Sequence, residues 1–186
     1  MTKLVGISGS LRAGSYNSAL LRAAVALAPE GVEFTIGTIR GIPVYDGDVE
    51  TKDGIPATVT ALKNLIAGAD GVLLVTPEYN NSIPGAFKNA IDWTTRPSSD
   101  IARVWRGRPV ATIGASPGNF GTILSQDAWL PVLRTLGTKA WFGGRLMVSR
   151  AEDVFDADGN LNDDALRERL RKFVAGFAEF AGENAG

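Results

Sequence analysis

The chain has 186 residues, of which 45% are hydrophobic and 21% are charged. This length is typical of one globular domain and the hydrophobic share is sufficient for a core, so we expect a single domain over residues 1–186. Nineteen basic and twenty acidic residues give a net charge of −1. This balance excludes the strongly basic surface of proteins that bind nucleic acid or anionic membranes, and we expect neither partner.

The sequence contains no cysteine and no histidine. This composition excludes disulfides, cysteine or histidine nucleophile systems, Ser-His-Asp triads and nearly all zinc sites, and we expect no metal site. Acid–base chemistry near neutral pH would then require a carboxylate, lysine or tyrosine with a shifted pKa. The composition therefore favours a bound organic cofactor as the source of any chemistry.

The N-terminus runs from Met1 into an apolar segment, without a charged leader or a cleavage site. No segment reaches the roughly 18 consecutive apolar residues that indicate a membrane span. We therefore expect a cytoplasmic protein that does not cross a membrane.

Apolar runs and helical periodicities alternate along the chain. Short apolar runs predict strands at residues 3–8, 32–36, 71–75, 109–114 and 140–148, the last of them interrupted by Gly143-Gly144. Apolar residues at helical spacing predict helices at residues 16–28, 56–67, 84–91, 120–136 with an irregularity at Pro131, and around 166–177. Residues 40–54 are rich in turn formers.

Five strands alternating with five helices predict an α/β fold with a doubly wound, five-stranded parallel sheet and helices on both faces. The common strand order in this class is 2-1-3-4-5. Ligands then bind beyond the carboxyl ends of the strands, where the winding direction reverses between strands 1 and 3. The loops after these two strands are therefore the candidate site.

The loop after strand 1 has the composition of a phosphate site. It leads into a helix N-terminus, where the helix dipole favours an anion, and its polar side chains are Ser8, Ser10, Arg12, Ser15 and Asn17. The Rossmann fingerprint does not fit the glycine spacing, and the P-loop pattern fails because Ser15 stands in place of lysine. The loop therefore suits a single phosphate. The alternative is an ordinary strand-to-helix turn with a capping Ser15 and a surface arginine.

The segment TPEYNNSIPGAFKNAIDW, residues 76–93, follows strand 3 and joins a rigid proline to an aromatic residue and two amides. Backbone amides in such a turn can hydrogen-bond the edge of a flat heterocycle. The alternative is a proline turn whose Tyr79 packs on the end of the sheet. The loop after strand 4, residues 115–121, flanks the same edge and contributes Ser116, Gly118 and Asn119.

These motifs together resemble the NADPH-dependent FMN reductase family, flavodoxin-like enzymes that include quinone, chromate and azo-dye reductases. The resemblance extends over nearly the whole chain. It is carried by GSLRAGSYN at residues 9–17 and by residues 76–93, with support from Arg96-Pro97 and from residues 108–111 and 116–118. The resemblance implies a single flavodoxin-like FMN-binding domain.

The resemblance also implies roles for individual residues. The FMN phosphate would be held by Ser10, Arg12, Ser15 and Asn17. The isoalloxazine ring would be lined, largely through backbone groups, by Pro77, Glu78, Tyr79 and Asn80, and its other edge would be approached by Ser116 and Gly118. No catalytic acid or base is nominated, because the chemistry belongs to the flavin.

The partners implied by the resemblance are NADPH or NADH as co-substrate and a small electron acceptor, which is a quinone, flavin, chromate, azo or nitro compound. The family also forms homodimers or homotetramers with the flavin near a subunit interface. The aromatic residues around Trp93, Trp105 and Trp129 either belong to the core or serve that contact.

Two other functions are compatible with such a chain. One is a flavodoxin-type electron carrier without NAD(P)H turnover of its own, although such carriers tend to be strongly acidic and the net charge here is only −1. The other is a binding or regulatory module without flavin. Turnover of NAD(P)H with a quinone would separate the enzyme from the carrier, and failure to take up FMN would identify the module.

Overall fold

The computed structural model describes residues 1–184. Its strands are β1 (Thr2–Ser8), β2 (Val32–Gly37), β3 (Gly71–Val75), β4 (Pro109–Ala115), β5 (Lys139–Ala140) and β6 (Met147–Val148). Its helices are α1 (Tyr16–Ala26), α2 (Gly47–Asp53), α3 (Ala57–Ala67), α4 (Gly85–Thr94), α5 (Ile101–Val104), α6 (Ile123–Leu136), α7 (Ala151–Val154) and α8 (Asp164–Asn184).

The strands form a parallel sheet in the order β2-β1-β3-β4-β5, and β6 also pairs with β4. Every residue of the central strand β3 is buried, because helices cover both faces of the sheet. The predicted α/β class and strand order are confirmed, and the fold is flavodoxin-like. The carboxyl ends of β1 and β3, where the winding reverses, lie side by side.

The fifth strand differs from the prediction of one interrupted strand over residues 140–148. The structure contains two short strands, β5 and β6, which pair with opposite ends of β4. Residues 141–146 leave the sheet between them, and this segment contains the predicted interruption at Gly143-Gly144. The interruption is confirmed, but the paired length is shorter than expected.

Two apolar clusters hold the layers together. The cluster on one face of the sheet includes residues of α1 and α8, and the cluster on the other face includes residues of α3, α4, α5 and α6. Trp93, Trp105 and Trp129 are completely buried within the chain. These three side chains therefore belong to the core, and the interpretation that they form a subunit contact is wrong.

Three short helices, α2, α5 and α7, were not predicted. Helix α2 lies within the turn-rich residues 40–54, begins at an Asp46 cap and buries none of its residues, so it has no apolar periodicity to detect. Helix α6 begins at Ile123 rather than at Phe120, because Gly121 adopts a φ of 63° against Met147 in the preceding loop. No helix within residues 1–184 is both long enough and apolar enough to cross a membrane.

Candidate functional site

Three loops meet at the carboxyl edge of the sheet. The backbone N–H of Gly9, after β1, donates to the carbonyl of Val75 at the end of β3 (2.9 Å). The side-chain amide of Asn17 donates to the carbonyl of Ala115 (2.8 Å) and accepts from its N–H (2.9 Å) at the end of β4. The first loop is therefore joined to both others, and the predicted site residues lie along one edge.

The first loop presents a row of free backbone donors. The backbone N–H groups of residues 13–17 have no hydrogen-bond partner within residues 1–184. The Ser15 hydroxyl accepts from the N–H of Ser18 (3.2 Å) as the cap of α1, which leaves its own proton to donate. The first turn of α1 contains no acidic residue. Successive free N–H groups at a helix N-terminus form an anion site.

Arg12 and Ser10 complete the charge and donor set of this loop. The Arg12 side chain is exposed and forms no ion pair with any carboxylate in the described part of the chain. The Ser10 hydroxyl lies 3.4 Å from the N–H of Arg12, a long contact that leaves this hydroxyl available. A guanidinium, two hydroxyls and free N–H groups fit the terminal phosphate of FMN.

Asn17 and Gly9 stabilise the conformation of this loop. Asn17 is 5% exposed and commits its carbonyl oxygen and one amide hydrogen to Ala115, so one amide hydrogen remains for a ligand. A Cβ at Gly9 would lie 2.2 Å from the ring of Phe87. The glycine is therefore required for close approach to α4, whereas a Cβ at Gly14 would meet open space.

The loop after β3 contains a tight turn at Asn80-Asn81. Tyr79 and Ser82 exchange two backbone hydrogen bonds of 3.1 Å, and φ is 50° at Asn80 and 61° at Asn81. Positive φ at both central residues defines a type I′ turn, which asparagine tolerates better than most residues. The turn holds the Tyr79 side chain 49% exposed at the site, next to the buried Pro77.

Glu78 supports the same loop through its side chain. Its Oε2 accepts from the backbone N–H groups of Leu124 (2.8 Å) and Ser125 (3.0 Å) in the first turn of α6. The carboxylate thus caps a helix whose own cap residue, Thr122, forms no side-chain cap bond. Glu78 would therefore contact a flavin ring through its backbone groups.

A buried polar cluster beneath this loop was missed by the sequence analysis. The Thr76 hydroxyl is completely buried, lies 2.7 Å from the Ser125 hydroxyl and accepts from the indole N–H of Trp129 (3.1 Å). These bonds join the end of β3 to α6. No local signal marks the cluster, because about fifty residues separate Thr76 from its partners.

The loop after β4 is closed by a hydrogen bond from one of its own side chains, that of Ser116. The Ser116 hydroxyl donates to the carbonyl of Gly121 (2.6 Å), and the Gly118 carbonyl accepts from the N–H of Arg150 (3.1 Å). Gly118 is exposed and Phe120 is 80% exposed at the tip. Ser116 shapes the loop, which presents Gly118 and an aromatic side chain toward solvent.

Arg40, which follows β2, is a second residue that the sequence analysis missed. Its Nη2 donates to the carbonyl of Leu11 (2.7 Å) and so supports the first loop from the β2 side. The predicted strand order places β2 beside β1, and from this order one could have expected a residue after β2 to reach the first loop.

Ion-paired and hydrogen-bonded side chains join α2 to the end of α4, away from the three loops. Arg96 Nε lies 2.7 Å from Glu50 Oε2, and this bond lowers the pKa of Glu50 while it raises the pKa of Arg96. The Tyr45 hydroxyl donates to the same oxygen of Glu50 (2.9 Å), which raises the pKa of Tyr45. Tyr45 also packs edge-on against Trp93 at 4.9 Å between ring centres.

The chain is similar to known flavoenzymes over almost its entire length. The sequence profile of a family described as NADPH-dependent FMN reductase matches residues 2–153. An NAD(P)H-dependent FMN reductase of Pseudomonas aeruginosa is 43% identical over 170 residues, covering 91% of this chain and 90% of that protein. A 2-hydroxy-1,4-benzoquinone reductase of a Burkholderia species is 38% identical over 176 residues, covering 95% and 94%.

A solved structure shows the same likeness. FerB, a flavoenzyme NAD(P)H:(acceptor) oxidoreductase from Paracoccus denitrificans, superposes with a TM-score of 0.88 at 34% identity, with 100% of each chain covered. The family match, the identities and the loop geometry agree with the resemblance inferred from the sequence. The chain therefore belongs to the NADPH-dependent FMN reductase family, oxidoreductases with FMN as cofactor and NAD(P)H as co-substrate.

Proposed function

We propose that this single-domain chain transfers electrons from NAD(P)H, by way of FMN bound at the three loops, to a quinone. The observation that carries the proposal is the junction of the first loop with the ends of β3 and β4. The Gly9–Val75 and Asn17–Ala115 hydrogen bonds place the free N–H groups of the first loop, which can bind an anion, beside the rigid turn after β3. This arrangement matches a ligand with one phosphate and one flat ring.

The residues of the chain bind and orient the cofactor. The N–H groups of residues 13–17, the Arg12 guanidinium and the hydroxyls of Ser10 and Ser15 would hold the phosphate. Backbone groups from Pro77 to Asn80 would line the ring, and those of Ser116 and Gly118 would lie at its other edge. When bound, FMN supplies the hydride acceptor and donor for the reaction, and we assign no residue of the chain as a catalytic acid or base.

The quinone assignment rests on exposed aromatic side chains at the ring side of the site. Tyr79 and Phe120 offer flat apolar surfaces on which a planar acceptor can stack. Relatives named quinone reductase, among them one from Escherichia coli at 36% identity, support the same class. Chromate has no flat surface to stack, whereas a flavin or an aromatic azo or nitro compound would stack as a quinone does, and among these planar acceptors the names of the relatives favour the quinone.

We also propose that the protein forms homodimers or homotetramers in the cytoplasm. Exposed apolar side chains lie on α6 and on the segments next to it, and they are Phe120, Ile123, Leu124, Leu130 and Phe142. A surface of this kind suits a second copy of the chain. Sedimentation velocity should show a dimer or tetramer, and a monomer at micromolar concentration would contradict this assignment.

An anaerobic absorption titration tests the proposed function. The purified protein, reconstituted with FMN, should lose its oxidised flavin bands when NADPH or NADH is added and regain them when a quinone is added. A bound flavin that no nicotinamide reduces would indicate an electron carrier instead. Failure to bind FMN at all would indicate a binding module.

A further inference from the structure

The outer face of α6 is apolar, although the inner face of this helix already contributes to the core. Trp129 and Leu133 are buried on the inner face. On the outer face, Ile123, Leu124 and Leu130 are 37%, 45% and 39% exposed. A helix at the surface of a monomer has one apolar face and presents polar side chains to solvent. The second apolar face of α6 therefore indicates contact with a further surface.

A cavity of about 450 Å³ lies beside this outer face. Its walls are α6, β4 and the segment 140–147, most of which leaves the sheet between β5 and β6. Phe142 of that segment lines the cavity and is itself 72% exposed. A protruding aromatic side chain and an apolar cavity thus occur on one surface, which consists of the outer face of α6 and the segment 140–147. We refer to this surface as the α6 face.

Two charged side chains of opposite sign line the same cavity. They are Asp127 of α6 and Arg145 of the segment 140–147, and both are exposed. Within residues 1–184, neither forms an ion pair. Covering an unpaired carboxylate or guanidinium with an apolar surface is costly, because the charge loses its water. A partner that covers the α6 face must therefore supply charges of both signs.

A second copy of the chain supplies both charges in matching positions. In a two-fold contact the same surface of each copy meets the other, so a contact between two different residues occurs twice. A partner with charges of one sign, such as an acidic peptide, would leave Asp127 uncompensated, and a small apolar ligand would leave both charges unpaired. The net charge of −1 imposes little repulsion between copies.

We infer that the α6 face is a two-fold interface between copies of this chain, and that two reciprocal ion pairs between Asp127 and Arg145 fix its register. The carboxylate of each copy binds the guanidinium of the other, while the apolar side chains around the two cavities are buried together. This inference rests on the proposed function, which includes assembly into homo-oligomers.

Charge reversal tests the interface in the FMN-loaded protein. Asp127→Arg and Arg145→Asp should each raise the dissociation constant of the interface about 100-fold or more, because each places like charges together at two symmetry-related positions. By sedimentation velocity over a concentration series, a dimer should become a monomer and a tetramer a dimer. The double variant Asp127→Arg/Arg145→Asp should restore the wild-type assembly. Arg169→Asp, on an exposed position of α8, makes the same change of charge as Arg145→Asp and should leave the assembly intact.

Alanine variants supply a second measurement that does not depend on repulsion. Asp127→Ala and Arg145→Ala each remove both ion pairs and should raise the dissociation constant about 10-fold. Together they should have the same effect as either alone, since the same two ion pairs are lost. Circular dichroism spectra that match the wild-type spectrum would show that each variant is folded.

A monomeric wild-type protein, or an assembly that both charge reversals leave unchanged, would overturn the inference. Failure of the double reversal to restore the assembly, or additive effects of the two alanine substitutions, would also overturn it. Turnover of NAD(P)H with a quinone in any of these cases would reject the interface and leave the proposed electron transfer standing. An assembly that the double reversal restores, in a protein that does not oxidise NAD(P)H, would reject the electron transfer alone.

Discussion

The first loop and the two ring-side loops achieve order in different ways. The phosphate donors of the first loop are close together in sequence: its capping serine, free N–H groups and arginine all lie within residues 10–17, although hydrogen bonds of Gly9, Asn17 and Arg40 join the loop to distant residues. The ring-side loops depend on distant partners, since Glu78 caps α6 and Thr76 bonds to Ser125 and Trp129. Phosphate binding should therefore respond to local substitutions, and ring binding should respond to changes in the contact between β3 and α6.

Arg12→Ala should show the difference between the two regions most strongly, because it should weaken phosphate binding and leave ring binding unchanged. Loss of one charge-assisted hydrogen bond to phosphate costs roughly 1.5–3 kcal/mol, which weakens FMN binding about 10- to 150-fold. Riboflavin lacks the phosphate, so its affinity should not change. Fluorescence titration of the apoprotein with both flavins measures the two effects. An unchanged FMN dissociation constant would remove Arg12 from the phosphate site.

Thr76→Val should disturb the ring side and the stability of the fold together. The substitution preserves shape but leaves the buried Ser125 hydroxyl and Trp129 indole without this partner, at a cost of about 1–3 kcal/mol. Thr76→Ser retains the hydroxyl and is the matched control. Urea unfolding and riboflavin titration should show losses in the valine variant that exceed those in the serine variant. Equal losses would assign the effect to packing alone.

Glu78→Gln should have a smaller effect confined to the ring side. The amide oxygen can still accept from the first turn of α6, but the favourable interaction of the charge with the helix dipole is lost, at about 0.3–1 kcal/mol. Hydrogen exchange at the amides of Leu124 and Ser125 should accelerate, whereas exchange in α1 should not. Acceleration in both helices would contradict the separate support of the two regions.

Glu50→Gln should alter neither loop, but it should lower the free energy of unfolding at neutral pH and flatten the acid limb of the stability curve. Because Arg96 lowers the pKa of folded Glu50, the unfolded chain binds more protons at acid pH. The stabilisation is complete above the unfolded value of about 4.3 and is lost as pH falls through the lower folded pKa. Urea unfolding from pH 7 to pH 3 should show a shallower decline in the variant. Parallel curves would exclude this contribution of Glu50.

The separation in sequence between interacting residues explains which features could be predicted from the sequence. The buried run of β3 and the Ser15 cap are local patterns, and both occur where the sequence predicts them. The Thr76 cluster and the support of the first loop by Arg40 join residues far apart in sequence, so no local pattern marks them. The shortened pairing of β5 and β6 likewise depends on how residues 141–146 leave the sheet.

A crystal structure of the protein with FMN would test the central claim most directly. The phosphate should accept hydrogen bonds from the N–H groups of residues 13–17 and from Arg12, with the flavin ring against residues 77–80. Electron density that places the phosphate elsewhere, or finds this loop closed by side chains of the protein, would contradict the assignment of the site.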